Sequence, residues 1–258
     1  MKKDVSIMYR VMSFEVVTYA NKSQGMFEEL MKNEFGLPIK VLGWGTEWKG
    51  FTDKTIGVLK YLDTKSDTDI VVFVDGFDTK VNKKPDDLIT LFRKCDCKVL
   101  VSRDPELMGG PMSRTIFGTC RGNSIANAGL FMGYVKELKM YLNDTLEPRC
   151  KDDQVNFNAS CSKFDFIKVD EEENIFKNIS PRALNKESNA IFMSYPASPS
   201  FSRYTRAFVE YTQFVYIHVL CLLVVALAFL PKYKTPLVGV TLGLTAFYAL
   251  VADKSCTL

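Results

Sequence analysis

The chain has 258 residues, and its 33 basic and 30 acidic side chains give a formal net charge of +3. This near balance gives no electrostatic case for nucleic-acid binding, which needs a concentrated positive surface. The seven cysteines are scattered without a CxxC pair, so no zinc site is expected, and their odd number leaves the redox compartment open. Cys95 and Cys97, one residue apart, are expected to be packing or surface positions rather than a disulfide.

Strand-like and helix-like segments alternate along the first hundred residues. The strands are predicted at Phe14–Tyr19, Ile39–Leu42, Ile70–Val74 and Lys98–Ser102. The helices are predicted at Gln24–Glu34, Thr55–Thr64 and from Pro85 to about Lys94. A segment rich in Gly and Trp, residues 43–50, follows the second strand, and its glycines allow a sharp turn. This order predicts an α/β fold with a mainly parallel central sheet. It is typical of nucleotide binding, although GxGxxG and GxxxxGK[ST] motifs are absent.

The third strand ends in two spaced carboxylates. Ile70–Val74 is apolar without alternation, which predicts a strand buried on both faces. Asp75 and Asp78 follow directly, at the carboxyl end of the strand, where open α/β sheets bind their ligands. Carboxylate oxygens suit Mg²⁺ or Mn²⁺ bound to a diphosphate. From the residues alone, the other interpretation is a solvated acidic turn, which is common after strands.

The C-terminal part of the sequence is strongly apolar. Residues 208–230 and 235–252 predict two transmembrane helices joined by a short loop that contains Lys232 and Lys234. The alternative is a pair of buried helices in a soluble protein. Basic residues flank both ends of the hairpin, so the positive-inside rule hardly discriminates between the two sides of the membrane.

The membrane side of the N-terminal domain is predicted from two weak signals. Residues 1–17 carry charges that interrupt any apolar region and do not form a signal peptide, which favours a cytosolic catalytic domain. Four Asn-x-Ser/Thr triplets point towards a lumenal one, but chance or structural use is the favoured explanation for them. Their asparagines are Asn21, Asn143, Asn158 and Asn178.

Residues 16–179 resemble the glycosyltransferase domain of procollagen lysyl hydroxylases in seven short motifs that occur in order. These are VVTYA at 16–20, LGWGTEWKG at 42–50, Lys54, VDGFD at 74–78, NAGLFMG at 127–133, DDQ at 152–154 and IFKN at 175–178. Each motif is weak alone, but together they span about 165 residues. The resemblance implies a GT-A-like, nucleotide-sugar-binding fold and a transferase that uses a UDP-sugar.

The resemblance also implies roles for individual residues. Asp75 and Asp78 would hold Mn²⁺ or Mg²⁺ against the donor diphosphate. The nucleotide sugar would be bound by Val17, Thr18, Tyr19, Lys54 and Gly129, and the catalytic residues would be Asn127, Asp152 and Asp153. Retaining transfer is the outcome that the family implies. For Asp152 and Asp153 the other interpretation is an acid pair that stabilises a helix N-terminus.

Three departures from the family pattern accompany these motifs. The family completes its metal site with a histidine after the last core strand, whereas His218 is the only histidine here and lies in the first apolar span. The corresponding stretch, 190–198, offers only Ser194 or Tyr195. Leu130 replaces a glycine and is expected to narrow the donor site. The chain also stops where lysyl hydroxylases continue into an iron-dependent domain, so neither lysine hydroxylation nor a collagen acceptor is expected.

The sequence therefore predicts a transferase domain at 1–200, a basic linker at 201–207, two membrane helices at 208–230 and 235–252, and a tail at 253–258. The predicted activity is metal-dependent transfer of a hexose from a UDP-sugar to an unknown protein, glycan or lipid acceptor near a membrane. The alternative is a catalytically degenerate protein that binds sugar nucleotides or acts as a scaffold.

Overall fold

The computed structural model describes residues 14–106, 110–146, 152–180 and 187–196, and near the C-terminus residues 219, 221–227, 229 and 231–251. The strands are β1 (Phe14–Tyr19), β2 (Ile39–Leu42), β3 (Ile70–Val74), β4 (Thr79–Val81), β5 (Val99–Arg103), β6 (Ala126–Tyr134), β7 (Ile167–Val169), β8 (Phe176–Asn178) and β9 (Phe192–Ser194). The helices are α1 (Phe27–Met31), α2 (Thr52–Leu62), α3 (Leu88–Lys94), α4 (Gly110–Phe117), α5 (Val135–Thr145) and α6 (Asp153–Cys161), followed by the C-terminal helix (Lys234–Val251).

Six strands form the central sheet in the order β2-β1-β3-β6-β5-β7. Strand β3 lies in the middle, and each of its five residues is at most 1% exposed, as its unbroken apolar sequence predicts. Alternate side chains of a strand point to opposite faces of the sheet. Phe73 accordingly packs with α2, α5 and α6 on one face, and Val72 packs with α1 and α3 on the other.

The central sheet, predicted to be mainly parallel, is mixed. Strands β1, β2 and β3 pair in parallel, as do β5 and β7. Strand β6 lies between β3 and β5 and is antiparallel to both. The four strands that the alternating pattern predicted do run in the same direction, and the mixed character comes from β6, which the pattern did not include. Since β6 runs the opposite way, its first residues lie at the edge where β3 and β5 end.

The pairing of β6 with β5 is interrupted near this edge. Val101 pairs with Phe131, but the next residue of β5, Ser102, pairs with Asn127. Residues 128–130 therefore form a bulge on the β5 side, while on the other side Leu130 stays paired with Val74 of β3. Bulges free backbone groups from the ladder and often occur beside active sites.

A second sheet of three strands, in the order β4-β9-β8, covers one face of the central sheet. Strand β9 pairs antiparallel with β4, so that Thr79 lies opposite Ser194. Phe176 and Phe192 of this sheet are fully buried with Leu88 and Phe92 of the α3 segment. The small sheet therefore places residues 192–195 beside the end of β3.

Two disulfides occur among the described cysteines. Cys95 is bonded to Cys97, so the expectation that these two are merely packing or surface positions is wrong. The turn after α3 brings their Cα atoms to 5.5 Å, a separation that a disulfide spans. Cys120 is bonded to Cys161 and so connects the segment after α4 to the end of α6.

Two of the four glycosylation triplets have a structural use. Asn158 is fully buried in α6, where its amide nitrogen donates to the carbonyl oxygens of Ala126 and Gln154. Asn178 is 5% exposed and donates to the Arg103 carbonyl oxygen. Neither side chain is accessible for modification in the folded protein.

Among the described residues, no helix is long and apolar enough to cross a membrane. Most of the first predicted span, 208–230, lies outside the described residues. The second corresponds to the C-terminal helix, whose apolar side chains include the exposed Val238, Val240 and Leu242.

Candidate functional site

The two acids after β3 are held by neighbouring strands. The Asp75 N–H donates to the Gly129 carbonyl oxygen at 2.8 Å, and Asp75 Oδ1 accepts the Phe77 N–H at 3.0 Å. Asp78 Oδ1 accepts the Ser194 hydroxyl at 2.9 Å, and the Asp78 carbonyl oxygen accepts the Tyr195 N–H at 2.8 Å. The short segment 75–78 is thus fixed between β6 and β9.

The segment 192–195 occupies the place where the resemblance implies a metal-binding histidine. It contributes Ser194, whose hydroxyl binds Asp78. His218 lies outside the described residues, and within the described ones no group of three or more His, Cys, Asp or Glu side chains could hold a metal ion. The protein ligands available to a cation here are therefore Asp75 and Asp78, whose carboxylate oxygens suit Mg²⁺ or Mn²⁺.

Lys54 lies in the first turn of α2, and its side chain is only 13% exposed. Its Nζ lies 2.5 Å from Asp153 Oδ2 and donates to the Ala128 carbonyl oxygen at 3.3 Å. Burial lowers the pKa of Lys54, but the carboxylates of Asp153, Asp75 and Asp78 outweigh it and raise the pKa above the usual value. Lys54 is therefore a permanent cation among three carboxylates, a set that retains net negative charge and suits a further cation.

The start of β6 places the polar side chain of Asn127 and the backbone of Gly129 at the edge of the sheet where β3 ends. Asn127 is 8% exposed, and its Oδ1 accepts the Gly129 N–H at 2.8 Å. A Cβ atom on Gly129 would lie 2.9 Å from Asn127 Oδ1 and 3.6 Å from Asp75 Cβ, so only glycine fits without displacing Asn127. Leu130, in contrast, is fully buried in the core with Val74. The expectation that Leu130 narrows the donor site is therefore wrong.

The acids of the DDQ motif begin α6 and differ in their contacts. Asp152 is the N-cap, and its Oδ1 accepts the N–H groups of Gln154 at 2.9 Å and Val155 at 3.4 Å. This is the helix-stabilising role that the sequence left open. Asp153 lies in the first turn and pairs with Lys54. Of the two acids, Asp153 is the one that the described contacts join to the cluster around Asp75.

The predicted nucleotide residues lie at the end of β1, next to the acids. Val17 and Thr18 are fully buried, and the Thr18 hydroxyl has no hydrogen-bond partner among the described residues. A Cβ atom on Gly76 would lie 2.8 Å from that hydroxyl, so Thr18 lies directly below the segment that joins Asp75 to Asp78. Tyr19 donates to or accepts from the Thr46 hydroxyl and packs near Trp48 in the 43–50 segment. There Gly43 has φ +74°, which confirms the sharp turn.

Two residues of this edge were given no role by the sequence-based prediction, although one of them, Gln154, belongs to the DDQ motif. Asp104 follows β5 and is 8% exposed, and Gln154 lies in α6 between Asp104 and Asn127. Burial raises the pKa of the Asp104 carboxyl, against the opposing effect of the N–H groups of Gln154, Glu106 and Asn127. An acid directly after a buried strand was the signal that identified Asp75, and the same signal marks Asp104.

The site residues all lie within a range that matches a known family. The family model described as the PLOD GT domain matches residues 10–198, which is more than half of the chain. The chain belongs to the PLOD glycosyltransferase family. Its membership confirms the resemblance carried by the seven motifs, and the matched range contains both sheets and helices α1 to α6.

Other comparisons add little to this assignment. No curated protein matches the sequence. Among solved structures, the chain is similar to the galactosyltransferase LgtC in complex with donor and acceptor sugar analogues, with 14% identity and a TM-score of 0.43. That alignment covers 71% of this chain and 87% of LgtC.

Proposed function

We propose that this member of the PLOD glycosyltransferase family transfers a hexose from a UDP-sugar to an acceptor and that it depends on Mn²⁺ or Mg²⁺. The observation that carries the proposal is the meeting of Asp75, Lys54, Asp153 and Gly129 at one edge of the sheet. These residues come from four places in the chain, the end of β3, helix α2, strand β6 and helix α6. Their shared position gives a charged site with a glycine backbone, of the kind that a diphosphate and a sugar require.

Asp75 and Asp78 are the proposed metal-binding residues, since their oxygens suit a hard cation and the cluster around Lys54 has surplus negative charge. A divalent ion bound there would supply Lewis-acid neutralisation of the departing diphosphate. Lys54 is rigidly held by Asp153 and Ala128, and would contribute a second fixed positive charge.

The donor would lie along the ends of β1 and β6. The hydroxyl of Thr18 has no hydrogen-bond partner within the described part of the chain, and with Val17 and Tyr19 it supports nucleotide binding at β1, because a buried hydroxyl gains most from a ligand that completes its hydrogen bonding. Gly129 gives close backbone approach to the sugar, and Asn127 would orient a sugar hydroxyl. We assign Asp153 to the same hydroxyl-binding face and Asp152 chiefly to the position of α6.

The test is hydrolysis of UDP-sugars by the purified protein. A panel that includes UDP-glucose and UDP-galactose is assayed with and without Mn²⁺, for the wild type and for Asp75→Ala and Asp78→Ala. Loss of a metal-ligating carboxylate is expected to lower metal-dependent turnover by about a hundredfold or more. Asp63→Ala is the matched control, because Asp63 is an exposed acid at the opposite end of α2 from Lys54. Equal rates for the wild type and both site variants would show that the proposal is wrong.

A second candidate is a catalytically degenerate protein that binds sugar nucleotides without turnover. It is favoured by the lack of a third metal-binding side chain within the described residues and by the Ser194 hydroxyl bound to Asp78. The degenerate protein would bind UDP but hydrolyse none of the UDP-sugars at any Mn²⁺ concentration.

Attachment to a membrane belongs to the same proposal and rests on the sequence. We propose that residues 208–230 and 235–252 keep the site near a membrane-associated acceptor, with the catalytic domain in the cytosol. The apolar composition of these two segments supports the proposed membrane attachment.

A further inference from the structure

A buried carboxylate lies behind the proposed sugar site. Asp104 follows β5, and both of its side-chain oxygens accept hydrogen bonds. Oδ1 accepts the Glu106 N–H at 2.7 Å, and Oδ2 accepts the side-chain N–H of Gln154 at 2.8 Å. The Asn127 side-chain N–H also lowers the pKa of this carboxyl, as the Gln154 and Glu106 N–H groups do, so Asp104 acts on the site through the amides of both Gln154 and Asn127.

A continuous chain of hydrogen bonds leads from Asp75 to Asp104. The Asp75 N–H donates to the Gly129 carbonyl oxygen, and the Gly129 N–H donates to Asn127 Oδ1 at 2.8 Å. Asn127 Nδ2 donates to Gln154 Oε1 at 3.3 Å, and Gln154 Nε2 donates to Asp104. Every donor in this chain points in the same direction, towards Asp104.

The direction of this series of hydrogen bonds depends on Asp104, its last acceptor. A side-chain amide can rotate by half a turn and exchange its oxygen with its NH₂ group, so Asn127 and Gln154 alone permit two arrangements. An ionised carboxylate only accepts hydrogen bonds, which requires the NH₂ group of Gln154 to face Asp104. The Gln154 oxygen must then face Asn127, and the Asn127 oxygen must face the Gly129 N–H.

We propose that Asp104 is a positioning residue that fixes the orientation of the Gln154 and Asn127 amides and thereby the backbone of Gly129 next to Asp75. The inference rests on the proposed function for its catalytic consequence, since Asn127 and Gly129 are assigned to the donor sugar. The hydrogen-bond chain itself can be tested without turnover.

Fold stability does not require the charge on Asp104. Burial raises the pKa of this carboxyl, which means that the folded protein holds the ionised form at a cost. Asp104→Asn removes that cost and keeps the volume of the side chain, so the variant is expected to fold.

In Asp104→Asn the chain of donors is reversed. The Glu106 N–H still requires an oxygen, so the new NH₂ group faces Gln154 and forces its amide to turn. Gln154 then offers NH₂ to Asn127, which turns in response and leaves the Gly129 N–H without its acceptor. Adding Gln154→Glu places a carboxylate between the side-chain amides of residues 104 and 127, and this carboxylate accepts hydrogen bonds from both. The double variant should therefore restore the original orientation of Asn127.

The test measures hydrogen exchange of the Gly129 amide in the full-length protein. Ala128–Gly129 is the only Ala-Gly pair in the sequence, so ¹³C-carbonyl alanine and ¹⁵N-glycine labelling gives a single NMR signal. Exchange is expected to be about tenfold faster in Asp104→Asn and to return to the wild-type rate in Asp104→Asn/Gln154→Glu. Asp170→Asn is the matched control, since Asp170 is another buried carboxyl but accepts the N–H groups of residues 174–176. An unchanged rate in Asp104→Asn, or no recovery in the double variant, overturns the proposal.

Turnover provides a second readout that separates the two proposals. With UDP-glucose or UDP-galactose and Mn²⁺, Asp104→Asn is expected to lower kcat by about tenfold with little change in KM, and the double variant is expected to recover. An active wild type with an equally active Asp104→Asn overturns the positioning role. An inactive wild type counts against the proposed function alone, because the exchange experiment still decides whether Asp104 orients the amides.

Discussion

Lys54 shows how a single side chain links the stability of this domain to its proposed function. Its ammonium is largely buried and is balanced by Asp153, with Asp75 and Asp78 near enough to raise its pKa further. Removing one partner of such a pair leaves the other charge without compensation, whereas removing both is far less damaging. The stability effect and the binding effect of Lys54 can therefore be separated by mutation.

We predict that Lys54→Met lowers the free energy of unfolding by about 2 kcal/mol, because Asp153 is then left unpaired. Adding Asp153→Asn should recover most of this loss but not the binding of UDP with Mn²⁺, which requires the positive charge. Urea unfolding and calorimetric titration with UDP measure the two effects. Lys60→Met, on the exposed side of the same helix, is the matched control. Recovery of UDP binding in the double variant would contradict a role for Lys54 beside the nucleotide.

At the scale of elements, helix α6 is the part on which most of the site depends. It begins with Asp152 and Asp153, it carries Gln154, and its last residue is bonded to Cys120. The disulfide closes a loop with a sequence separation of 41 residues, so it restricts the unfolded chain considerably. Cys95–Cys97, with a separation of two, restricts it little.

Replacement of Cys120 and Cys161 by serine is expected to lower the free energy of unfolding by about 4 kcal/mol, following the chain-entropy relation for a loop of this length. The matched control, Cys95→Ser with Cys97→Ser, should change it by much less. Denaturant unfolding under non-reducing conditions gives both values, and mass spectrometry of the unreduced protein verifies the pairing. Similar losses in the two double variants would contradict the entropic account.

The elements that the sequence predicted well were those with a clear local pattern. β1, β2 and β3 have the predicted ends, and the apolar runs of β2 and β3 stop abruptly at Gly43 and Asp75. Helix α1 covers only Phe27–Met31 of the predicted Gln24–Glu34, since the residues before it turn to hydrogen-bond with Phe77. The direction of β6 and the partner of Cys120 depend on contacts distant in sequence, which no local pattern reveals. The residues around Asp75 could be named from motifs. Asp104 also follows a buried strand, but its place beside Asn127 became clear only when β6 was seen to begin where β5 ends.

At the scale of the whole molecule, the family model matches residues 10–198, which include both sheets. The proposed membrane attachment of the C-terminal apolar segments rests on their sequence. We predict that the full-length protein stays with the membrane pellet after alkaline carbonate extraction, because about 20 apolar residues suffice to cross a bilayer. A chain truncated after residue 200 should be released, and its UDP-sugar hydrolysis should be retained. Release of the full-length protein under the same conditions would contradict the membrane anchor.

The bulge at residues 128–130 divides β6 into two parts with different tolerance to sequence change. Residues 131–134 are locked between β3 and β5, so an insertion there would move every following side chain to the opposite face. Residues 128–130 have no partner on β5, so a change in length there leaves the pairing of residues 131–133 with β5 intact. Side-chain changes are more restricted, because Gly129 lies against Asn127 and Leu130 is fully buried, so we expect the proposed donor site to vary through the length of the bulge rather than through its composition.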